Sequence, residues 1–202
     1  QRRKGKIMTA TTPLQSVHQK GLFGDHHKKN RIDLVSISEI KNYNIIQIVK
    51  HKNSNINLSN ISIDDLELPL ESFKVSSNQN TRILWNAPNT WSVFSTKEDI
   101  NNIVQKKCDE NNFAITDISH SRAIIQVKGI QVKEILKKGC PLNFDKFNIN
   151  NSTNSIFHGI TFTIDFIGDS PETFNLITLR SFGESLYHHI TDSSLEFGYV
   201  GV

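Results

Sequence analysis

Apolar residues recur along this chain with two different periods. A period of two marks strands that bury one face, and a period near 3.6 marks helices with one apolar stripe. The clearest strand is predicted at 157–167, where Ile160, Phe162, Ile164 and Phe166 alternate with Thr161, Thr163 and Asp165. Gly168-Asp169-Ser170-Pro171 supplies turn chemistry, and a second strand follows at 174–179. Shorter strands are predicted at 43–49, 82–85, 91–95, 113–118 and 123–128. Asn86-Ala87-Pro88-Asn89 reads as the tight turn between the second and third of these, and 123–128 reads as the hairpin partner of 113–118.

Three helices are predicted. The first spans 97–111, with Ile100, Ile103, Val104 and Cys108 on one face and a capping-box spacing at Ser95 and Glu98. The second spans 130–138, with Val132, Ile135 and Leu136 inward, Gly139 as its C-terminal cap and Pro141 preventing its resumption. The third opens at Ser181 and Glu184, again at capping-box spacing, and places Phe182, Leu186 and Ile190 on its buried stripe. Residues 56–69 read as a polar connection and 76–80 as a turn or loop. From Arg82 the order is β-β-α-β-β-α, then β-β-α. Strand pairs joined by tight turns imply mainly antiparallel sheet with helices packed on one face, an α+β fold.

Charge changes the picture at one end. Residues 1–31 hold eight of the 23 Lys/Arg and one of the 20 Asp/Glu, so the rest of the chain is net negative and the basic pI describes a segment. That segment has no apolar period and reads as a basic flexible arm, leaving 32–202 as one domain or as two small lobes, 32–128 and 129–202. Nucleic-acid binding wants basic side chains interleaved with stacking aromatics on a structured face. The arm lacks them, so no nucleic-acid partner is expected. No run of 18 apolar residues occurs, so no membrane partner is expected, and no secretory start is visible. A cytoplasmic location with Cys108 and Cys140 as reduced thiols is the expectation.

Candidate chemistry is sparse. His188 and His189 are adjacent on a helix, about 100° apart, and do not readily face one ion; no metal is expected. Asp117, Ser119, His120 and Ser121 contain the residue types of a Ser-His-Asp set. They lie around a turn, however, where Asp and Ser side chains commonly satisfy backbone amides. No glycine-rich strand-to-helix loop of the dinucleotide or P-loop kind occurs. Trp85, Trp91 and Arg180 are residue types of binding hot spots, and read equally well as core anchors and local hydrogen-bond organisers.

Three pieces of sequence occur in a telling order. The first is Leu68-Pro69, a gap, then Arg82-Ile83-Leu84-Trp85-Asn86-Ala87-Pro88-Asn89-Thr90-Trp91. The second is Asp117-Ile118-Ser119, Arg122-Ala123 and Gly129, leading into Lys138-Gly139-Cys140-Pro141-Leu142-Asn143-Phe144. The third is Arg180-Ser181-Phe182, opening a helix with Ser185-Leu186-Tyr187. Over roughly 68–198 the chain resembles the gamma subunit of bacterial heterotetrameric sarcosine oxidase.

The resemblance implies a fold similar to the folate-binding domains of the glycine-cleavage aminomethyltransferase. It implies an assembly that oxidises the N-methyl group of sarcosine, yielding glycine, hydrogen peroxide and 5,10-methylenetetrahydrofolate. The FAD, FMN, NAD, zinc and tetrahydrofolate of that assembly would belong to the alpha, beta and delta subunits. This chain would be structural, with no catalytic residue, cofactor site or metal site of its own. Its candidate interface residues are Trp85, Trp91, Arg122, Cys140, Arg180, Phe182 and Tyr187. The alternative is a free-standing folate-binding or aminomethyltransferase-like protein; the full transferase is much longer and has an additional C-terminal domain.

Overall fold

A computed structural model describes residues 11–202. In chain order the elements are β1 (Gly21–Phe23), β2 (Val35–Glu39), β3 (Asn44–Lys50), β4 (Ser62–Ile63), β5 (Leu66–Glu67), β6 (Val75–Ser77), β7 (Thr81–Ala87) and β8 (Thr90–Ser95). There follow α1 (Ile100–Lys107), β9 (Phe113–Asp117), β10 (Arg122–Lys128), α2 (Val132–Lys137), β11 (Ser152–Phe157), β12 (Ile160–Asp169), β13 (Glu172–Leu179), α3 (Gly183–Ser194) and β14 (Tyr199–Gly201). A seven-stranded sheet has the order β1-β14-β2-β10-β13-β12-β11, and a five-stranded sheet the order β6-β7-β8-β3-β9. Every pairing within these sheets is antiparallel except β14 with β2. The fold is α+β and mainly antiparallel.

The two sheets pack face to face, and strand alternation explains how. On β10, Ile125 and Val127 join the core beneath α2 and α3, while Ile124 points the other way. On β13, Phe174 and Leu176 take the helix side and Ile177 the inter-sheet side. Ile124 and Ile177 meet Ile45, Leu84 and Phe94 of the five-stranded sheet in a small apolar cluster. The far face of that sheet buries Ile46, Ile48, Ile83 and Val93 against α1 and the β4–β5 hairpin. Each of these buried side chains contributes about 1.5–3 kcal/mol through removal from water.

Several expectations need correction. Strands β9 and β10 are not a hairpin: β9 pairs with β3 in one sheet, and β10 with β2 and β13 in the other. The connection Ser119–Ser121 carries the chain from sheet to sheet in a single 3-10 turn. A division at 128/129 would separate β10 from its hydrogen-bonded neighbour β13, so the two sheets, not two sequence halves, are the natural layers. Residues 1–10 of the expected arm lie outside the described residues. Residues 11–31 are not an arm: Leu14 is fully buried in the main core, and β1 pairs with β14.

Neither capping box forms. The Ser95 hydroxyl lies 2.8 Å from that of Thr81 and accepts from the Lys97 amide at 3.1 Å, and α1 begins only at Ile100. Glu184 instead accepts a hydrogen bond from Ser16, and α3 follows a 3-10 turn at Arg180–Phe182 with no side-chain cap. Phe182 is exposed rather than inward, whereas Leu186 and Ile190 are buried as expected. Gly139 is required by close approach, not by a left-handed cap: a Cβ there would lie 2.9 Å from the His158 ring and 3.1 Å from Phe157.

Candidate functional site

The register of the central strands gathers one cluster of the candidate residues. Arg122 opens β10 directly opposite Leu179, the last residue of β13. The chain then turns through Arg180–Phe182 into α3. Arg122, Leu179, Arg180 and Phe182 therefore share one end of the seven-stranded sheet. Leu179 is 44% and Phe182 42% exposed, so two large apolar side chains reach the surface beside the two arginines. An open cleft of about 1090 Å³ runs between residues 11–16 and the start of α3, past Leu179 and Arg180. A second hollow of about 360 Å³ joins Arg122, Ile156 and Leu179 on the neighbouring flank.

The two arginines are held by neutral partners. Arg122 Nη1 donates to the Ser121 carbonyl at 3.3 Å and to its hydroxyl at 3.0 Å. Burial lowers its pKa from the usual guanidinium value. Arg180 Nη2 donates to the Thr11 carbonyl at 2.5 Å. None of the ion pairs among the described residues involves either arginine.

The other candidates lie elsewhere. Trp91 is 1% exposed, with its Nε1 donating to the Pro69 carbonyl at 2.7 Å, so it is a core anchor. Tyr187 is buried, its hydroxyl 3.1 Å from His18 Nδ1. Cys140 is buried, with Sγ 3.2 Å from the Ser155 hydroxyl. These three do not present a surface to a partner in this conformation. Trp85 is half-buried at the margin of the five-stranded sheet's outer core, apart from the arginine cluster. Leu179 and Ile156 complete the exposed apolar surface and were not singled out from sequence; alternation alone gives no signal that an apolar strand-end residue will be left uncovered.

Polar groups occupy the rest of the inter-sheet layer. Arg82 of β7 donates from Nε and Nη2 to the two carboxylate oxygens of Asp165 on β12, at 2.9 and 2.7 Å. Asp165 is 2% exposed; burial raises its pKa, opposed by the Arg82 hydrogen bonds and charge. Gln126 donates to Asn175 at 3.0 Å, and Thr163 to Asn154 at 2.7 Å. Beside them lies a polar chamber of about 220 Å³, bordered by Gln47, Asn86, Ser92, Asn154, Thr163 and Arg122.

The Asp117–Ser121 region has the geometry of a turn. Asp117 accepts from the Ser119 amide at 2.9 Å and hydroxyl at 2.6 Å, and the Ser119 hydroxyl accepts from the Ile45 amide at 2.9 Å. These hydrogen bonds lower the Asp117 pKa. His120 bridges neither group. Among the described residues no three His, Cys, Asp or Glu side chains gather closely enough to hold a metal ion. The turns entering α1 and α3 contain no glycine between strand and helix, and that entering α2 contains one. That residue, Gly129, has φ +146°, and a Cβ there would press to 3.1 Å on Val35 Cα. It serves strand packing, and these turns do not form the glycine-rich cradle a dinucleotide needs.

Comparison with known proteins places this geometry. A family model described as the sarcosine oxidase gamma subunit family matches residues 58–196. Heterotetrameric sarcosine oxidase from Corynebacterium sp. U-96, solved with pyrrole 2-carboxylate, contains a chain similar over 93% of this chain and 96% of that one. Its TM-score is 0.78 at 16% identity. Glycine cleavage system aminomethyltransferase T from Bartonella henselae is similar over 79% of this chain but 46% of that one, with a TM-score of 0.58 at 10% identity. At these identities both likenesses speak to the fold. No curated protein matches significantly in sequence. No helix among the described residues is long and apolar enough to cross a membrane. The matched span runs from the approach to the β4–β5 hairpin through α3, taking in the Arg122–Arg180 end of the sheet, and on that match the chain belongs to the sarcosine oxidase gamma subunit family.

Proposed function

We propose that this chain is a non-catalytic, structural subunit of a heterotetrameric sarcosine oxidase. The assembly would oxidatively demethylate sarcosine to glycine, with oxygen reduced to hydrogen peroxide and the released carbon captured as 5,10-methylenetetrahydrofolate. The observation that carries the reading is the family match across most of the fold. The near end-to-end likeness to a chain of an oxidase described as heterotetrameric supports it. By resemblance to the family, FAD, FMN, NAD, zinc and tetrahydrofolate would belong to the alpha, beta and delta subunits. Its own contribution is surface. Leu179 and Phe182, exposed beside Arg122 and Arg180, offer the apolar centre and arginine anchors that stable interfaces use.

The test is co-expression of the tagged chain with its neighbouring genes, read by flavin absorbance and sarcosine-dependent peroxide formation. Yellow, active partners should co-purify. Phe182→Asp should lower recovery of the assembly several-fold while leaving turnover per bound flavin unchanged. Normal recovery with lost turnover would reject a structural role. A colourless lone chain, with its partners expressed and folded, would reject membership of the assembly.

A further inference from the structure

Beneath the exposed patch lies a smaller cleft that the subunit role does not explain. It encloses about 200 Å³, and Lys41, His120, Arg122 and Arg180 border it, with Tyr43 alongside. No Asp or Glu borders it. The carboxylate that pairs with Lys41, Glu39 at 3.3 Å, is 2% exposed and turned to the Thr12 hydroxyl and Leu14 amide. Residues 1–10 contain no acidic residue that could serve the two arginines. Two guanidinium groups thus share a partly enclosed hollow with no carboxylate on its lining. Leaving such charge uncompensated in a half-buried setting costs free energy that an anion would recover.

The donors left over define the ligand. Among the described residues Arg122 meets acceptors only through Nη1 and Arg180 only through Nη2, which leaves the N–H groups of two further nitrogens on each without an acceptor there. Planar guanidinium forks match the spacing of carboxylate and phosphate oxygens. The volume fits one small group: a water occupies about 30 Å³, and sites for larger cofactors run to roughly 300–1,000 Å³.

We propose that the cleft between Arg122 and Arg180 is an oxyanion site, taking a single carboxylate or phosphate group. The reading stands on the acid-free lining and the unengaged donors; it shares its two arginines with the proposed interface, and titrating both forms separates the two roles. The test is titration of inorganic phosphate at constant ionic strength, into the full chain and into the co-purified assembly, followed by the unfolding midpoint and by arginine Nε–Hε chemical shifts. Saturable binding is expected in at least one form. Arg122→Gln and Arg180→Gln should each weaken it tenfold or more, while Lys128→Gln, an exposed charge on the same strand, should leave it intact. Arg122→Lys keeps the charge without the fork and should fold normally with intermediate affinity. Binding to the lone chain but not to the assembly would identify the anion as a partner's carboxylate; binding to both would identify a free small molecule. A response that only tracks ionic strength, absence of saturation in both forms, or equal affinity in Arg122→Gln overturns the site.

Discussion

The ion pair between the sheets gives the sharpest test of the packing. Arg82 and Asp165 come from different sheets, and their fork-to-fork geometry at 2.7 and 2.9 Å fixes one sheet on the other. The Arg82 side chain is 14% exposed and the Asp165 side chain 2%. Removing one partner of such a pair leaves an uncompensated buried charge, at a cost of about 3–5 kcal/mol. For a protein of this size that is a fall in unfolding midpoint of roughly 6–20 °C. Arg82→Met and Asp165→Asn should both show it at pH 7.5. They should differ in acid. In Arg82→Met the carboxylate has lost its cation, and burial raises its pKa without opposition. The folded variant then binds a proton more tightly than the unfolded chain. Its deficit against the parent is largest above that raised folded value and shrinks as pH falls toward the parent's own Asp165 value, which burial also holds above the ordinary carboxylate value of about 3.9. Within that window each pH unit should return about 1.4 kcal/mol. In Asp165→Asn the stranded group is a guanidinium, which keeps its proton, so acid should give no rescue. Urea denaturation of both variants and the parent at pH 7.5 and 5.0 measures the difference. Equal deficits at the two pH values, or a loss below about 1 kcal/mol in Arg82→Met, would refute the reasoning.

Three other outcomes follow from the packing. Leu14→Ala should cost about 2–5 kcal/mol in urea denaturation, because the side chain is fully buried in the main core; a cost near zero would restore the arm. Burial pushes the Cys108 thiol up to about 11, and Cys140 is also buried. Both thiols should therefore resist a disulfide reagent at pH 8 until the protein is unfolded, and rapid labelling of the folded protein would contradict that. Trp91→Phe should lose about 1–3 kcal/mol by leaving the Pro69 carbonyl without its indole donor at 2.7 Å, measured by thermal unfolding.

Legibility in the sequence followed the locality of the cause. Strands whose burial comes from alternation were readable: Ile160, Phe162, Ile164 and Phe166 announce β12, and Trp91 and Val93 announce β8. Strands β6 and β11 were not, because Ser76, Ser77, Ser152, Thr153 and Asn154 are turn-like residues recruited as edges of sheets already formed. The four-residue link between β9 and β10 looks like a hairpin turn, and nothing local tells the chain to change sheets there. The capping boxes failed for a related reason: Thr81 and Ser16, distant in sequence, engage the very groups the boxes require. At the candidate site, Arg122, Arg180 and Phe182 were visible as residue types. Only the strand register, which sets Arg122 opposite Leu179, shows that they belong together. Trp91, Cys140 and Tyr187 have equally suggestive chemistry and are buried.

The division of strands between sheets sets a timetable for a growing chain. All five strands of the smaller sheet lie within residues 44–117, so it has every strand it needs once β9 has emerged. The larger sheet begins earlier and finishes much later. Strand β2 is made before any of the smaller sheet, yet its neighbours are β10 and β14, at 122–128 and 199–201. Throughout that interval Val35 and Ile37, wholly covered in the finished fold, stand in water on a strand with both edges open. Open apolar edges are templates for wrong pairing. During synthesis the smaller sheet can stand as a finished platform while β2 waits, and the fate of the chain rests on how quickly residues 122–201 arrive to enclose it.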